Sequence, residues 1–262
     1  MQDFFKEQSA SLIPELVPGV KVLFTEREGG VSSGPWGGVD GIMGLNVGVH
    51  VGDNVACVRM NRNIVAQMTP NAPRWMTQVH GIRVVDAESV ESDAVEADAQ
   101  TSVTAGVVCA VQVADCLPVL VADGKARGVA AIHAGWKSLS AGIIEQAVAR
   151  LRERIGDPQA ELRAWLGPRI GADDFEVGPE VVQVFESRYG VPQGAVQEAR
   201  EGKFLLDLAA YAKKALEDVG VTQCEDCGLS TYADPRRFYS FRRDGAKSGR
   251  HAALIWIEAD KE

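Results

Sequence analysis

The stretch from Gly106 to Trp136, GVVCAVQVADCLPVLVADGKARGVAAIHAGW, constrains the fold more than any other part of the chain. Valine-rich apolar blocks broken by glycine and aspartate read as buried strands, and they form the centre of the structure. Within them, Asp115-Cys116-Leu117-Pro118 sets a carboxylate, a thiol and a proline in four residues. Proline has no N–H for a ladder and is tolerated at strand ends or bulges, so the polar pair marks the point where a strand leaves its ladder.

The remaining chain alternates between strand and helix signals. VKVLF (Val20 to Phe24) opens a strand, and the glycine-rich run that follows, REGGVSSGPWGGVDGIMGLNVGVHVGD, has no period and reads as a long loop. Asp53 is placed to cap a helix through about Met68, where Val55, Val58, Arg62 and Val65 recur at helical spacing. Further helices are expected over Ser140 to Arg154, Pro179 to Ser187 with proline at the first turn, and Asp207 to Val219 before Gly220. ELRAWLGP and the closing RHAALIWIEA read as strands. With no repeat and no linker, residues 1–262 form one α/β (α+β) domain of mixed sheets flanked by helices.

Charge narrows the partners. The 27 basic and 36 acidic residues leave a net charge of -9, which disfavours nucleic acid and anionic membranes and favours a small-molecule partner. MQDFFKEQSASLIPELVPG lacks the pattern of a secretory signal, and no apolar run approaches the roughly 18 residues of a spanning helix, so a cytoplasmic location is expected. Five cysteines (Cys57, Cys109, Cys116, Cys224, Cys227) are too sparse for a disulfide framework.

If LPVLVA and RGVAAIHA form a hairpin turning at Gly124-Lys125, facing residues have numbers summing to 249, which pairs Cys116 with His133. Gly135 next to them permits close approach of backbone or ligand. His80, in TQVHG, sits at another strand start and supplies a third donor. Two imidazoles and a thiolate suit Zn²⁺ and leave a fourth tetrahedral position open, the catalytic arrangement. A metal-free reading competes, in which His133 activates Cys116 as the nucleophile of a hydrolase. The pair in CEDC (Cys224, Cys227) lacks the second pair of a zinc ribbon. FRRDGAKSGR gathers Arg242, Arg243 and Arg250 as an anion site would, Glu176 in FEVGPE is a possible acid or base, and His50 and His251 read as structural.

Taken in order, GLNVGVHVGD, NRN, TQVHG, VADCLPVLVAD, AAIHAGW, LGPRIGADDFEVG, LDL and FYSFRRDG with SGR and IWI resemble the YfiH-like family over nearly the whole chain. These proteins are known as purine nucleoside phosphorylases and formerly as multicopper polyphenol oxidases. The resemblance implies a metal site at His80, Cys116 and His133, holding zinc with copper as the alternative. It implies phosphorolysis of adenosine, inosine, guanosine and methylthioadenosine, together with adenosine deamination. Asn46, Arg62, Arg242, Arg243 and Glu176 are the expected substrate and phosphate contacts. Copper-dependent phenol oxidation and a Cys-His hydrolase editing cell-wall precursors are the competing activities. Against the usual pattern the chain carries Lys137 and Ser138 after HAGW, Gly44 before the leucine-asparagine pair, and Ser230 at a position commonly cysteine.

Overall fold

The apolar centre becomes two stacked sheets. A computed structural model of the chain describes residues 11–259; residues 1–10 of the N-terminal stretch lie outside the described residues. Four antiparallel strands run in the order Ser11–Leu12, Val20–Thr25, His251–Ile257, Cys109–Val113. Six run in the order Gln223–Asp226, Leu162–Leu166, Leu117–Asp123, Val129–Ala134, Ala99–Ser102, Val84–Asp86, parallel only in the outermost pair at each edge. A small third sheet joins Glu176–Val177, Lys203–Leu206 and Val196–Arg200.

Strand alternation distributes the core into three layers. Leu120, Ala122, Val129 and Ala131 meet Val22, Phe24, Val111, Ala253 and Ile255 between the two large sheets. The opposite side chains of the six-stranded sheet, Leu117, Val119, Val121, Ala130 and Ile132, pack on helices Ile143–Ile155, Pro179–Tyr189 and Leu208–Asp218. Leu23, Ala110, Ala252 and Leu254 cover the outer face of the four-stranded sheet against Ile64 and Val65 of helix Val55–Gln67. The result is helix, sheet, sheet, helix. Both central sheets are thus buried on two faces, which is why their strands read as near-continuous apolar runs.

Local details depart from expectation in three places. The helix from residue 55 is capped by Asn54, whose side chain accepts from the Ala56 N–H, while Asp53 turns back to Ser32 and Asn46. Val55, expected on its apolar face, is exposed. The helix expected over Ser140 to Arg154 is two, Trp136–Ala141 and Ile143–Ile155, broken at Gly142 with φ +99°, a left-handed value that favours glycine. The long glycine-rich loop also contains a short strand, Glu28–Ser32.

The central hairpin has a different register from the one expected. Pro118 faces His133 and Leu117 faces Ala134, so facing numbers sum to 251. The turn is longer than two residues: the Asp123 N–H donates to the Gly128 carbonyl, and Asp123 Oδ2 accepts from the backbone of Lys125 and Arg127. A shift of two keeps every side chain on its face, so Cys116 and His133 still share one, diagonally rather than directly opposed.

Candidate metal centre

The polar interruption in the buried strand is where the chain changes sheets. Cys109–Val113 belongs to the four-stranded sheet and Leu117–Asp123 to the six-stranded one, and the crossing takes three residues. Asp115 turns the corner with φ +80°, outside the range that side chains ordinarily adopt. Its carboxylate holds the bend: Oδ1 accepts from Thr231 Oγ1 at 2.6 Å, and Oδ2 from Ser240 Oγ at 3.0 Å and the Arg242 N–H at 2.6 Å. Pro118, second in its strand, precedes the ladder to Leu162–Leu166, which starts at Val119, so the missing N–H costs little.

The bend delivers Cys116 to the end of the layer between the sheets. One donor atom each from His80, Cys116 and His133 lies within 4.8 Å of the other two, and the imidazoles meet edge to face with centroids 4.8 Å apart. His133 is buried, Cys116 partly buried and His80 exposed. Gly135 is required by this closeness: a Cβ there would lie 2.7 Å from His80 Nδ1 and 3.1 Å from Cys116 Sγ.

Asp98, fully buried, organises both histidines. Its Oδ1 lies 2.8 Å from His133 Nδ1, and its two oxygens accept the backbone N–H groups of Val79, His80 and Gly81 at 2.7 to 3.2 Å. Those bonds hold the tight turn in which His80 takes φ +57°. Burial alone would lower the His133 pKa, but Cys116 and the Asp98 carboxylate outweigh it and raise the group to about 9. For His80, exposed as a residue but lining the cavity, partial desolvation prevails, aided by the charge of His133, and the pKa falls. Asp98 is pushed upward by burial, yet the His133 hydrogen bond and charge and the N–H groups of Gly81 and Val79 bring it below the usual carboxylate value.

The donor set fits a metal. With Nδ1 of His133 engaged by Asp98, Nε2 is left as the ligand atom, the carboxylate-histidine arrangement that orients metal-bound imidazoles. Two nitrogens and a sulfur gathered within 4.8 Å of one another are the donor types that zinc takes. The centre opens into a cavity of about 330 Å³, with Met76, Trp136, Phe175 and Phe241 as apolar wall and Gln78, Gln112, His50, Arg242 and Arg250 as polar groups.

The other expected contacts separate into two groups. Arg242 lines the cavity, donates to the Glu176 carbonyl at 3.0 Å and stacks over Phe175. Arg62, Arg243, Glu176 and Asn46 do not line it. Arg62 pairs with Asp93 at 2.6 Å and stacks on Trp75, and Arg243 donates to the carbonyls of Thr231, Tyr232 and Phe238. The Glu176 carboxylate pairs with Arg200. Asn46 accepts the Arg250 N–H at 2.9 Å and so holds the residue that does reach the cavity.

His50, read as structural, lies at the cavity, and its pKa is lowered by burial and by Arg250 and Arg62. His251 is structural: Nε2 accepts the Tyr239 N–H and Nδ1 lies 2.8 Å from the Thr25 carbonyl oxygen. Cys224 packs into the helix-side core and Cys227 into the layer between the sheets, so the two thiols face opposite ways. Gly44 has no room for a Cβ, which would fall 2.0 Å from the Trp36 carbonyl oxygen. Asp98 and Gln112 escaped sequence reading because a single aspartate in EADAQ and a single glutamine in a strand carry no periodic or motif signal.

Comparison with known proteins agrees with this architecture. Residues 21–258 match the family described as multi-copper polyphenol oxidoreductase laccase. A purine nucleoside phosphorylase of Pseudomonas aeruginosa is 40% identical over 240 residues, covering 91% of this chain and 94% of the relative. The purine nucleoside phosphorylase YfiH of Escherichia coli is 39% identical over 241 residues, covering 91% and 94%. Among solved structures, a Neisseria meningitidis protein superposes with a TM-score of 0.86 at 39% identity, covering 96% of this chain and 99% of that one. YlmD from Geobacillus stearothermophilus gives 0.81 at 28% identity, covering 92% and 93%. Their extent and identity place this αββα sandwich, with its His-Cys-His centre: the chain belongs to the YfiH-like, multi-copper polyphenol oxidoreductase laccase family.

Proposed function

We propose that the chain is a metal-dependent purine nucleoside phosphorylase acting on adenosine, inosine, guanosine and methylthioadenosine, with adenosine deaminase activity at the same centre. The observation that carries this reading is the convergence of His80, Cys116 and His133 on one aromatic-walled cavity that also receives two arginines. The names of the relatives at about 40% identity support it. The metal is zinc in this reading, held by His80, Cys116 and His133, with copper as the alternative. Bound there, it supplies Lewis acidity to whatever polar atom enters the open position.

The side chains account for the rest. Arg242 and Arg250 hold phosphate against the nucleoside; of the five expected contacts only Arg242 lines the cavity, and Arg250 joins it through Asn46. In phosphorolysis a phosphate oxygen bonds to the ribose C1′ as the N-glycosidic bond breaks, and the purine leaves with its electron pair and takes up a proton. In deamination water adds at the purine C6 and ammonia departs. Trp136, Phe175 and Phe241 supply the apolar wall beside which the base lies. Asp98 keeps His133 in one tautomer and orientation.

One observation favours a second reading. Cys116, His133 and Asp98 have the order of a nucleophile, base and orienting carboxylate, which suits a hydrolase that needs no metal. Incubating zinc-loaded protein with adenosine or inosine, with and without phosphate, beside Cys116→Ala, separates the two. Phosphate-dependent release of free base, lost in the variant and after chelation, supports the phosphorylase. Amide hydrolysis that survives chelation, with no nucleoside turnover, replaces it.

A further inference from the structure

We propose that His50 selects phosphate over fully ionised oxyanions such as sulfate by accepting the hydrogen bond of a P–OH; this rests on the reading above that the cavity takes phosphate. His50 lines the cavity together with Arg242 and Arg250 and is exposed, so its ring is open to a ligand. The loop that carries it is fixed by buried polar groups. Asn46 Oδ1 accepts the N–H groups of Gly48 and Arg250, each at 2.9 Å, while its Nδ2 donates to Asp53 Oδ2 at 2.9 Å. Asn61 Nδ2 donates to the Asn46 carbonyl at 2.8 Å, and Arg62 Nε to the Val47 carbonyl at 2.9 Å. Arg250 packs on this loop: a Cβ at Gly48 would fall 2.7 Å from its Cγ. Asn46 and Asn61 are fully buried, and a satisfied buried network of this kind rigidifies what it holds, here a histidine near an arginine.

The chemistry of the two residue types selects the ligand. A guanidinium only donates, and phosphate and sulfate offer it the same acceptor oxygens. They differ in one group: at neutral pH inorganic phosphate retains a P–OH, and sulfate carries no proton. Reading that proton needs an acceptor. Asp115 is already engaged by Thr231, Ser240 and the Arg242 N–H, the Gln78 amide by the Gln112 backbone, and Gln112 Oε1 is covered. His80, Cys116 and His133 are taken by the proposed metal. The His50 ring has no hydrogen-bond partner among the described residues. Desolvation and the charges of Arg250 and Arg62 lower its pKa, so at neutral pH the ring is uncharged and one nitrogen is an acceptor. Phosphate bound in this way turns its protonated oxygen to His50 and the others to the arginines and the nucleoside.

The test uses zinc-loaded protein and two probes, inorganic phosphate and sulfate. Calorimetric titration gives both Kd values without nucleoside, and inhibition of inosine phosphorolysis gives the Ki of sulfate beside the KM for phosphate. Wild type should favour phosphate in both measurements. In His50→Phe the acceptor is gone and the preference should fall roughly three- to tenfold, the worth of one hydrogen bond. In His50→Gln, whose amide oxygen still accepts, most of it should remain. His50→Lys replaces the acceptor with a charged donor, and sulfate should then bind at least as tightly as phosphate. Each preference is a ratio of constants from one preparation, so it is independent of how much protein has folded. No preference in wild type, or an unchanged one in His50→Phe, overturns the role of His50 alone when inosine is still cleaved with phosphate. A preference that depends on His50, in protein that cleaves no nucleoside, overturns the phosphorylase reading and keeps this one. Wild type that binds neither anion overturns both.

Discussion

One oxygen of Asp98 touches both histidines of the candidate metal centre: Oδ1 lies 2.8 Å from His133 Nδ1 and 2.9 Å from the backbone nitrogen of His80. A single carboxylate thereby sets the orientation of one imidazole and the backbone bend that presents the other.

Replacing Asp98 by asparagine keeps the size and removes the charge. Metal affinity should fall about 10- to 100-fold, as it does when the partner of a ligating histidine is lost. Competition with a chromogenic chelator measures this; unchanged affinity would show that Asp98 does not orient His133.

Gly135→Ala introduces a Cβ 2.7 Å from His80 Nδ1 in the present geometry. The ligands must separate, so bound zinc per chain should drop well below that of wild type while the far-ultraviolet circular dichroism stays unchanged. Full zinc occupancy in the variant would mean that the turn at His80 yields more easily than its three N–H bonds to Asp98 imply.

Two arginines of the FRRDGAKSGR segment should behave differently. Arg250→Met should raise KM for phosphate roughly tenfold or more, since it removes a charged hydrogen-bond donor from the cavity. Arg243→Met should leave that KM alone and lower the melting temperature, because the Arg243 guanidinium is committed to three carbonyls and Asp244. Steady-state kinetics at varied phosphate, with thermal melts, decides between these outcomes.

Acid should destabilise the fold through His251. Burial, opposed by the hydrogen bond to the Thr25 carbonyl, lowers its pKa from 6.5 to about 3. The unfolded chain therefore binds a proton that the folded one refuses, and stability falls by about 1.4 kcal/mol per pH unit between these two values. Above pH 6.5 this contribution is fully present. Urea unfolding at pH 7 and pH 5 should show His251→Gln losing about 2 kcal/mol less than wild type over that interval. Equal losses would refute the assignment.

The strands and helices were legible where periodicity is strong, as in Ile144, Ala147, Val148 and Leu151, all buried on one helix. The shared face of Cys116 and His133 was also legible, because alternation survives a shift of two residues. The register itself was not: Asp123 closes the turn with its carboxylate, and no spacing rule encodes that. Nor could sequence separate Arg242 from Arg243. Adjacent residues of one short helix, Phe241–Asp244, leave it in different directions, and the carbonyls that capture Arg243 come from a loop brought near only by the fold.

The sheet crossing at Asp115 also has a consequence in time. All three proposed ligands precede residue 134 in the chain, but the hydroxyls that fasten Asp115 belong to Thr231 and Ser240, and the strand beside Cys109–Val113 is His251–Ile257. During synthesis the ligands therefore leave the ribosome well before the corner that aligns them can close. Metal capture in the final geometry is then a late event, and it reports that the segment around Asp115 has met the one from Thr231 to Ile257.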